Sequence, residues 1–218
     1  MFVGHTALAL AAKRRSPELS LGWLFGAAVT LDLLWPLFLI LGLEQVAIGS
    51  ATGGFDNLTF LSYPWSHSLL TSIGWGAGMV ALARWRGISP SSSLLLGLLV
   101  VSHWVLDWAS HAPDMPLLPW GEAKVGLGLW ASVPATYIVE GAMYVAGIWL
   151  YLGGTTAKDK VGSIGLWLWL LVMALMWGSG PFAPPPPSTA MVAWSTLIAL
   201  PLLVVWAWWI DRHRTTTS

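Results

Sequence analysis

The chain contains no cysteine. Disulfides, thiolate nucleophiles and thiolate metal sites are therefore excluded, and any metal must be held by histidine and carboxylate. Charge is almost as scarce, with 9% charged residues against 56% hydrophobic ones in 218 positions. Together with a mean hydropathy of +0.69, this is too apolar for a water-soluble domain of that length. No polar stretch is long enough for a second, soluble domain, so residues 1–218 read as a single integral membrane domain. Neither sign of charge dominates. Ten basic and ten acidic residues give zero net charge, and the basic ones lie in small scattered groups, which argues against a nucleic-acid surface.

What is present is a series of apolar segments, and the fold class they predict is all-α. The expectation is a polytopic transmembrane helix bundle of about six spans, plus a short N-terminal half-span or interfacial helix. Residues 2–12 would make a helix about 16 Å long, too short for a hydrocarbon core of about 30 Å. Lys13, Arg14 and Arg15 follow that run instead of preceding it, so it reads as part of the fold and not as a signal peptide. The six predicted spans are 21–43, kinked at Pro36, then 66–84, 91–112, 133–152, 161–177 and 190–210. The third stops before Pro113. Two long loops, 44–66 with its Gly53-Gly54 pair and 113–132, separate the early spans, and a stiff polyproline run at 184–187 separates the last two. Trp65, Trp85, Trp149 and Trp209 fall at predicted helix ends, as an interfacial belt requires. An N-terminus on the cytoplasmic side leaves only Lys124 of the ten basic residues outside, so both termini are expected inside.

Against this apolar background the polar residues stand out. His103, Asp107 and His111 are spaced four and four, which spreads the three over only about 80° of the helix surface and so sets them on one stripe. An ionisable group inside a membrane helix costs about 2.5–3.5 kcal/mol on insertion scales, so its default reading is function. Asp32, near the middle of the first span, is the strongest such case. By rise per residue Asp32 and His103 fall at similar depth near the midplane, with His67, Asp107 and His111 nearer the outer end. His5 reaches them only if the first segment enters the membrane from inside. The bland alternative is a set of interhelical hydrogen bonds without chemistry. Glu140 is as compatible with supporting a ligand as with a proton relay or salt bridge, Asp114 with a turn residue, and His213 with a solvated tail. Ser66 and Ser68 beside His67 are weak candidates for a nucleophile.

Gly4-His5-Thr6, Leu31-Asp32-Leu33, Trp65-Ser66-His67-Ser68-Leu69 and Ser102-His103-x-x-Leu106-Asp107, in that order over about the first 115 residues, resemble the membrane-bound metal-dependent hydrolases. These are also described as inner-membrane-associated hydrolases. The resemblance implies a bacterial inner-membrane protein with a metal site formed by His5, Asp32, His67, His103 and Asp107. The chain departs from the family before the Ser-His-Ser, where a further His or Arg is often found and this sequence has Tyr63-Pro64-Trp65; His111 is the candidate replacement.

The expected function is hydrolysis of an ester or phosphoester of a membrane lipid or amphiphilic small molecule. A divalent metal, Zn²⁺ by the donor set, is the expected cofactor, with Asp32 and His111 as the catalytic candidates. The alternative is an ion, proton or metal transporter using the same residues, and a third reading is a structural membrane protein.

Overall fold

The computed structural model describes residues 1–49, 55 and 57–217, and among these the chain is mostly helical. The Gly53-Gly54 pair lies outside the described residues. In chain order come α1 (Phe2–Ala12), α2 (Leu21–Ala28), α3 (Thr30–Ile40), β1 (Gln45–Ile48), β2 (Leu58–Ser62), α4 (Pro64–His67), α5 (Leu69–Trp85) and α6 (Pro90–Ser110). There follow β3 (Met115–Pro116), β4 (Lys124–Val125), α7 (Val133–Gly154), β5 (Thr155–Ala157), α8 (Leu166–Gly178), α9 (Thr189–Arg212) and β6 (Arg214–Thr216). Three antiparallel two-stranded pairs, β1–β2, β3–β4 and β5–β6, are the sheet among the described residues. Among the described residues four helices are long and apolar enough to cross a membrane: α6, α7, α9, and α8 with the π-helical turn that leads into it. The chain is an integral membrane protein by that measure.

Serine sets where many of these helices start. Ser20, Ser68, Ser89, Ser132 and Ser188 each accept the backbone N–H three residues on, at Trp23, Thr71, Ser92, Ala135 and Met191. Each such cap is worth about 1 kcal/mol against alanine. α1 has no cap of its own. The carboxylate of Glu140, fully buried on α7, replaces it and accepts from Val3 N (3.1 Å) and Gly4 N (3.4 Å). Negative charge at a helix N-terminus is favourable, so α1 is fixed by a partner helix.

α1 does not lie at a surface. Val3, Gly4, His5, Thr6, Ala7, Ala9, Leu10 and Ala12 are buried, and the helix packs against α7, α2 and α6. Gly147 permits the approach of α7, because a Cβ there would stand 2.6 Å from the Ala7 carbonyl oxygen. At the far end of α1 Lys13 is buried, donating to Asp211 Oδ2 (2.7 Å) and the Leu19 carbonyl (2.7 Å), while Tyr151 donates to Asp211 Oδ1 (2.6 Å). His213 is no lone tail residue: its Nδ1 lies 2.6 Å from Asp159 Oδ2 on the exposed surface. That hydrogen bond holds the Asp159 carboxyl below its ordinary value.

The segment 21–43 breaks at Val29 and not at Pro36. α2 and α3 meet at 53°, and Pro36 sits inside α3. Thr30 Oγ1 donates back to the Gly26 carbonyl (2.9 Å), a side-chain bond that competes with the helical ladder and bends it. The predicted helix 66–84 likewise divides into α4 and α5 where Ser68 turns extended, at ψ 151°.

Candidate metal centre

Each candidate ligand is placed by a local device of its own element. α6 carries His103 and Asp107 one turn apart on the face that it buries. The bend at Val29 swings Asp32 toward that face and presents the Ala28 carbonyl, which accepts from His103 Nδ1 (2.8 Å). His67 is the last residue of α4, held at the turn into α5. The capped start of α1 supplies His5.

These five residues converge. His5 Nε2 lies 3.0 Å from Asp107 Oδ1, and His103 Nε2 lies 3.0 Å from Asp107 Oδ2. His103 Nε2 is 3.6 Å from Asp32 Oδ1, while His67 Nε2 is 3.7 Å from the same oxygen and 3.8 Å from Asp107 Oδ2. In each of two overlapping groups, His5–His103–Asp107 and Asp32–His67–His103, the ligand atoms lie within 4.8 Å of one another. The Met1 backbone nitrogen also contacts Asp107 Oδ1, and lies 3.2 Å from Ser110 Oγ. Asp107 is almost fully buried, whereas the Asp32 side chain is 36% exposed and is the carboxylate that faces open space.

Hydrogen bonding outside the cluster fixes which ring edges point inward. His103 Nδ1 donates to Ala28, so in the neutral ring Nε2 is a lone pair. That atom is buried with no aligned hydrogen-bond partner, despite the carboxylate oxygen 3.0 Å away. Ser66 Oγ gives its proton to Glu44 Oε2 (2.7 Å) and so accepts from His67 Nδ1 (2.6 Å), which again leaves Nε2 as the inward lone pair. With both rings neutral, lone pairs thus face carboxylate oxygens across the cluster. A cation between them satisfies both sides, and the donor set of imidazoles and carboxylates fits a divalent metal.

Glu44 is the residue behind the candidate site that the sequence did not single out. It is buried between α3 and β1, and also accepts from Trp65 N (2.8 Å) and Ser66 N (2.7 Å). Burial raises its carboxyl above the ordinary value, against those donors. Ser66 is the link from Glu44 to His67. Glu140 anchors the start of α1, and its other oxygen accepts from Trp130 Nε1 (2.9 Å).

His111 is placed beside the cluster and not in its ligand groups. α6 ends at Ser110, and His111 is extended at ψ 153°, so the stripe of the helix stops before it. Its Nδ1 lies 3.2 Å from Asp114 Oδ1, an oxygen that also accepts from the Tyr63 hydroxyl (2.6 Å). Its ring packs against Trp130 and Phe60, centroids 4.6 and 4.9 Å away. Phe60 and Trp130 come from the two long loops, and with His5, His67, Asp107 and His111 they line a cavity of about 150 Å³ over the cluster. A second cavity of about 330 Å³ shares Phe2, Asp32 and Trp35 with it and runs to Met176, Leu200 and Leu203 on α8 and α9.

No family model, curated protein or solved structure matches the chain. The functional reading therefore stands on these side chains. A buried His/Asp group that can hold a metal ion is what they establish.

Proposed function

We propose that the protein is a membrane-bound metal-dependent hydrolase of the bacterial inner membrane, acting on an ester or phosphoester of a lipid or amphiphile. The observation that carries this reading is the set of inward lone pairs of His67 and His103 facing the carboxylates of Asp32 and Asp107. His5, Asp32, His67, His103 and Asp107 would hold the ion, and Zn²⁺ suits their donor atoms. When bound, such an ion supplies a Lewis acid and a position at which water becomes acidic near neutral pH.

The chain's own groups supply the rest. His111, its Nδ1 turned to Asp114, is oriented to take or give a proton at Nε2, and Asp32 is the open-facing carboxylate able to act as base. The second cavity supports an amphiphilic substrate, since it leads from Asp32 into an apolar lining. Toward the inner end of α2 and α6, Leu24, Leu96, Leu99 and Val100 are buried apolar side chains, which favours a closed-ended site over a transport path.

The topology we propose has six spans with Lys13 and the C-terminus cytoplasmic, while Met1, beside Asp107 and Ser110, lies in the opposite half of the bundle, against the expectation of a cytoplasmic N-terminus. It counts the bent α2–α3 pair and α5, about 25 Å long at the helical rise, as crossings. The test of function is turnover of a panel of lipid esters and phosphoesters by purified protein, lost on chelation and in His103→Ala and restored by metal. Metal flux in proteoliposomes without turnover would instead establish the transporter.

A further inference from the structure

The His5 and His103 rings are stacked, with centroids 3.7 Å apart and planes 4° from parallel. An imidazole lone pair lies in the plane of its ring, so a bound ion lies in or near that plane, about 2.0–2.1 Å from the nitrogen. Stacked rings have planes a van der Waals thickness apart. An ion in the plane of one is therefore beyond bonding distance of the other, and an ion midway meets both lone pairs far off axis. These two histidines are poorly arranged to share one ion.

The carboxylate between them is arranged to join two. Asp107 turns Oδ1 to His5 Nε2 and Oδ2 to His103 Nε2, each at 3.0 Å, and the Met1 nitrogen reaches the Oδ1 side as a further donor atom there. That is the separation of neighbouring ligand atoms on one metal at bonds of about 2.0–2.2 Å. The remaining two ligands stand on the Oδ2 side, with His67 Nε2 3.8 Å from Asp107 Oδ2 and Asp32 Oδ1 3.6 Å from His103 Nε2. His5 Nδ1 and His103 Nε2 are both buried without a hydrogen-bond partner.

We propose that the cluster is a two-ion centre bridged by Asp107, with His5 and Asp107 Oδ1 at one position, and Asp32, His67, His103 and Asp107 Oδ2 at the other. This rests on the reading of the cluster as a metal site. Two ions about 3.5–4 Å apart form a clamp suited to displacement at a phosphoester, so phosphoesters become the favoured substrate class.

The experiment is metal counting on the full chain in detergent, stripped and reloaded with Zn²⁺, then with Mn²⁺ for electron paramagnetic resonance. Two zinc ions per chain and a spin-coupled manganese signal are expected. His5→Ala should retain one zinc ion and give an uncoupled signal, with gel-filtration behaviour unchanged. One ion in the unaltered chain would overturn the two-ion centre and leave the metal site standing, whereas none would overturn the metal site itself. Two ions retained in His5→Ala would overturn the assignment of His5.

Discussion

Glu140 on α7 accepts the Val3 N–H at 3.1 Å, and this contact ties the start of the helix that carries His5 to a helix that contributes no ligand. Replacing Glu140 by alanine leaves buried N–H groups at the start of α1 without an acceptor. A buried donor left in that state costs about 1–3 kcal/mol. The thermal midpoint in detergent should fall accordingly, and metal should dissociate faster, because His5 is no longer pinned. Glu140→Ala with unchanged midpoint and unchanged metal release would separate α1 from the site.

Much of the site can be read in the sequence because the membrane makes polarity conspicuous. Asp32 and the His103–Asp107 step stand out within apolar runs, and helical spacing alone puts the latter two on one face. Glu44 has no such contrast. It follows an apolar run at the edge of a loop, where a carboxylate is ordinary, and only the fold shows it turned inward against Ser66. The break at Val29 is also hidden, since neither glycine nor proline marks it and the nearby Pro36 draws the kink away. His111 looks like the next member of the stripe by spacing. Ala112 precedes Pro113, which disfavours helix there, and the chain has already left the helix at His111.

Glu44→Gln should weaken metal binding without unfolding the chain. The amide keeps one acceptor but cannot receive Ser66 Oγ together with both backbone donors, so Ser66 is released and His67 loses its fixed edge. Partners of metal ligands are typically worth about 10- to 100-fold in affinity or activity. Competition with a chromogenic chelator measures it, and an affinity equal to that of the unaltered chain would remove Glu44 from the site.

Gly147→Val tests the seat of α1 from the other side. A side chain there meets the Ala7 backbone, which cannot swing away as a flexible side chain would. Overpacking of this kind costs about 1–3 kcal/mol, and α1 must shift to relieve it. Metal content should drop along with stability, while Gly153→Val on the same helix, where a Cβ meets nothing within 4 Å, should change neither.

The side to which the site opens follows from the loops. Phe60 of β2 and Trp130 of the 113–132 loop line the cavity over His5, His67 and Asp107, whereas Lys13 and Asp211 mark the opposite end of α1. With Lys13 and the C-terminus cytoplasmic, those loops face outward and so does the cavity. An impermeant chelator added to right-side-out vesicles should strip the metal or stop turnover, and inverted vesicles should resist it. Reporter fusions after Ser188 and after Thr217 should fall on opposite sides, which tests the crossing of α9 and the side of the C-terminus independently. Opposite-sided fusions with sensitivity only in inverted vesicles would show that α9 crosses as assigned and that substrate enters from the cytoplasm. Fusions on one side would instead remove the frame in which outward has been assigned. Protection from outside is then no argument against the ligand set, because the distances among His5, Asp32, His67, His103 and Asp107 do not depend on which way the bundle is inserted.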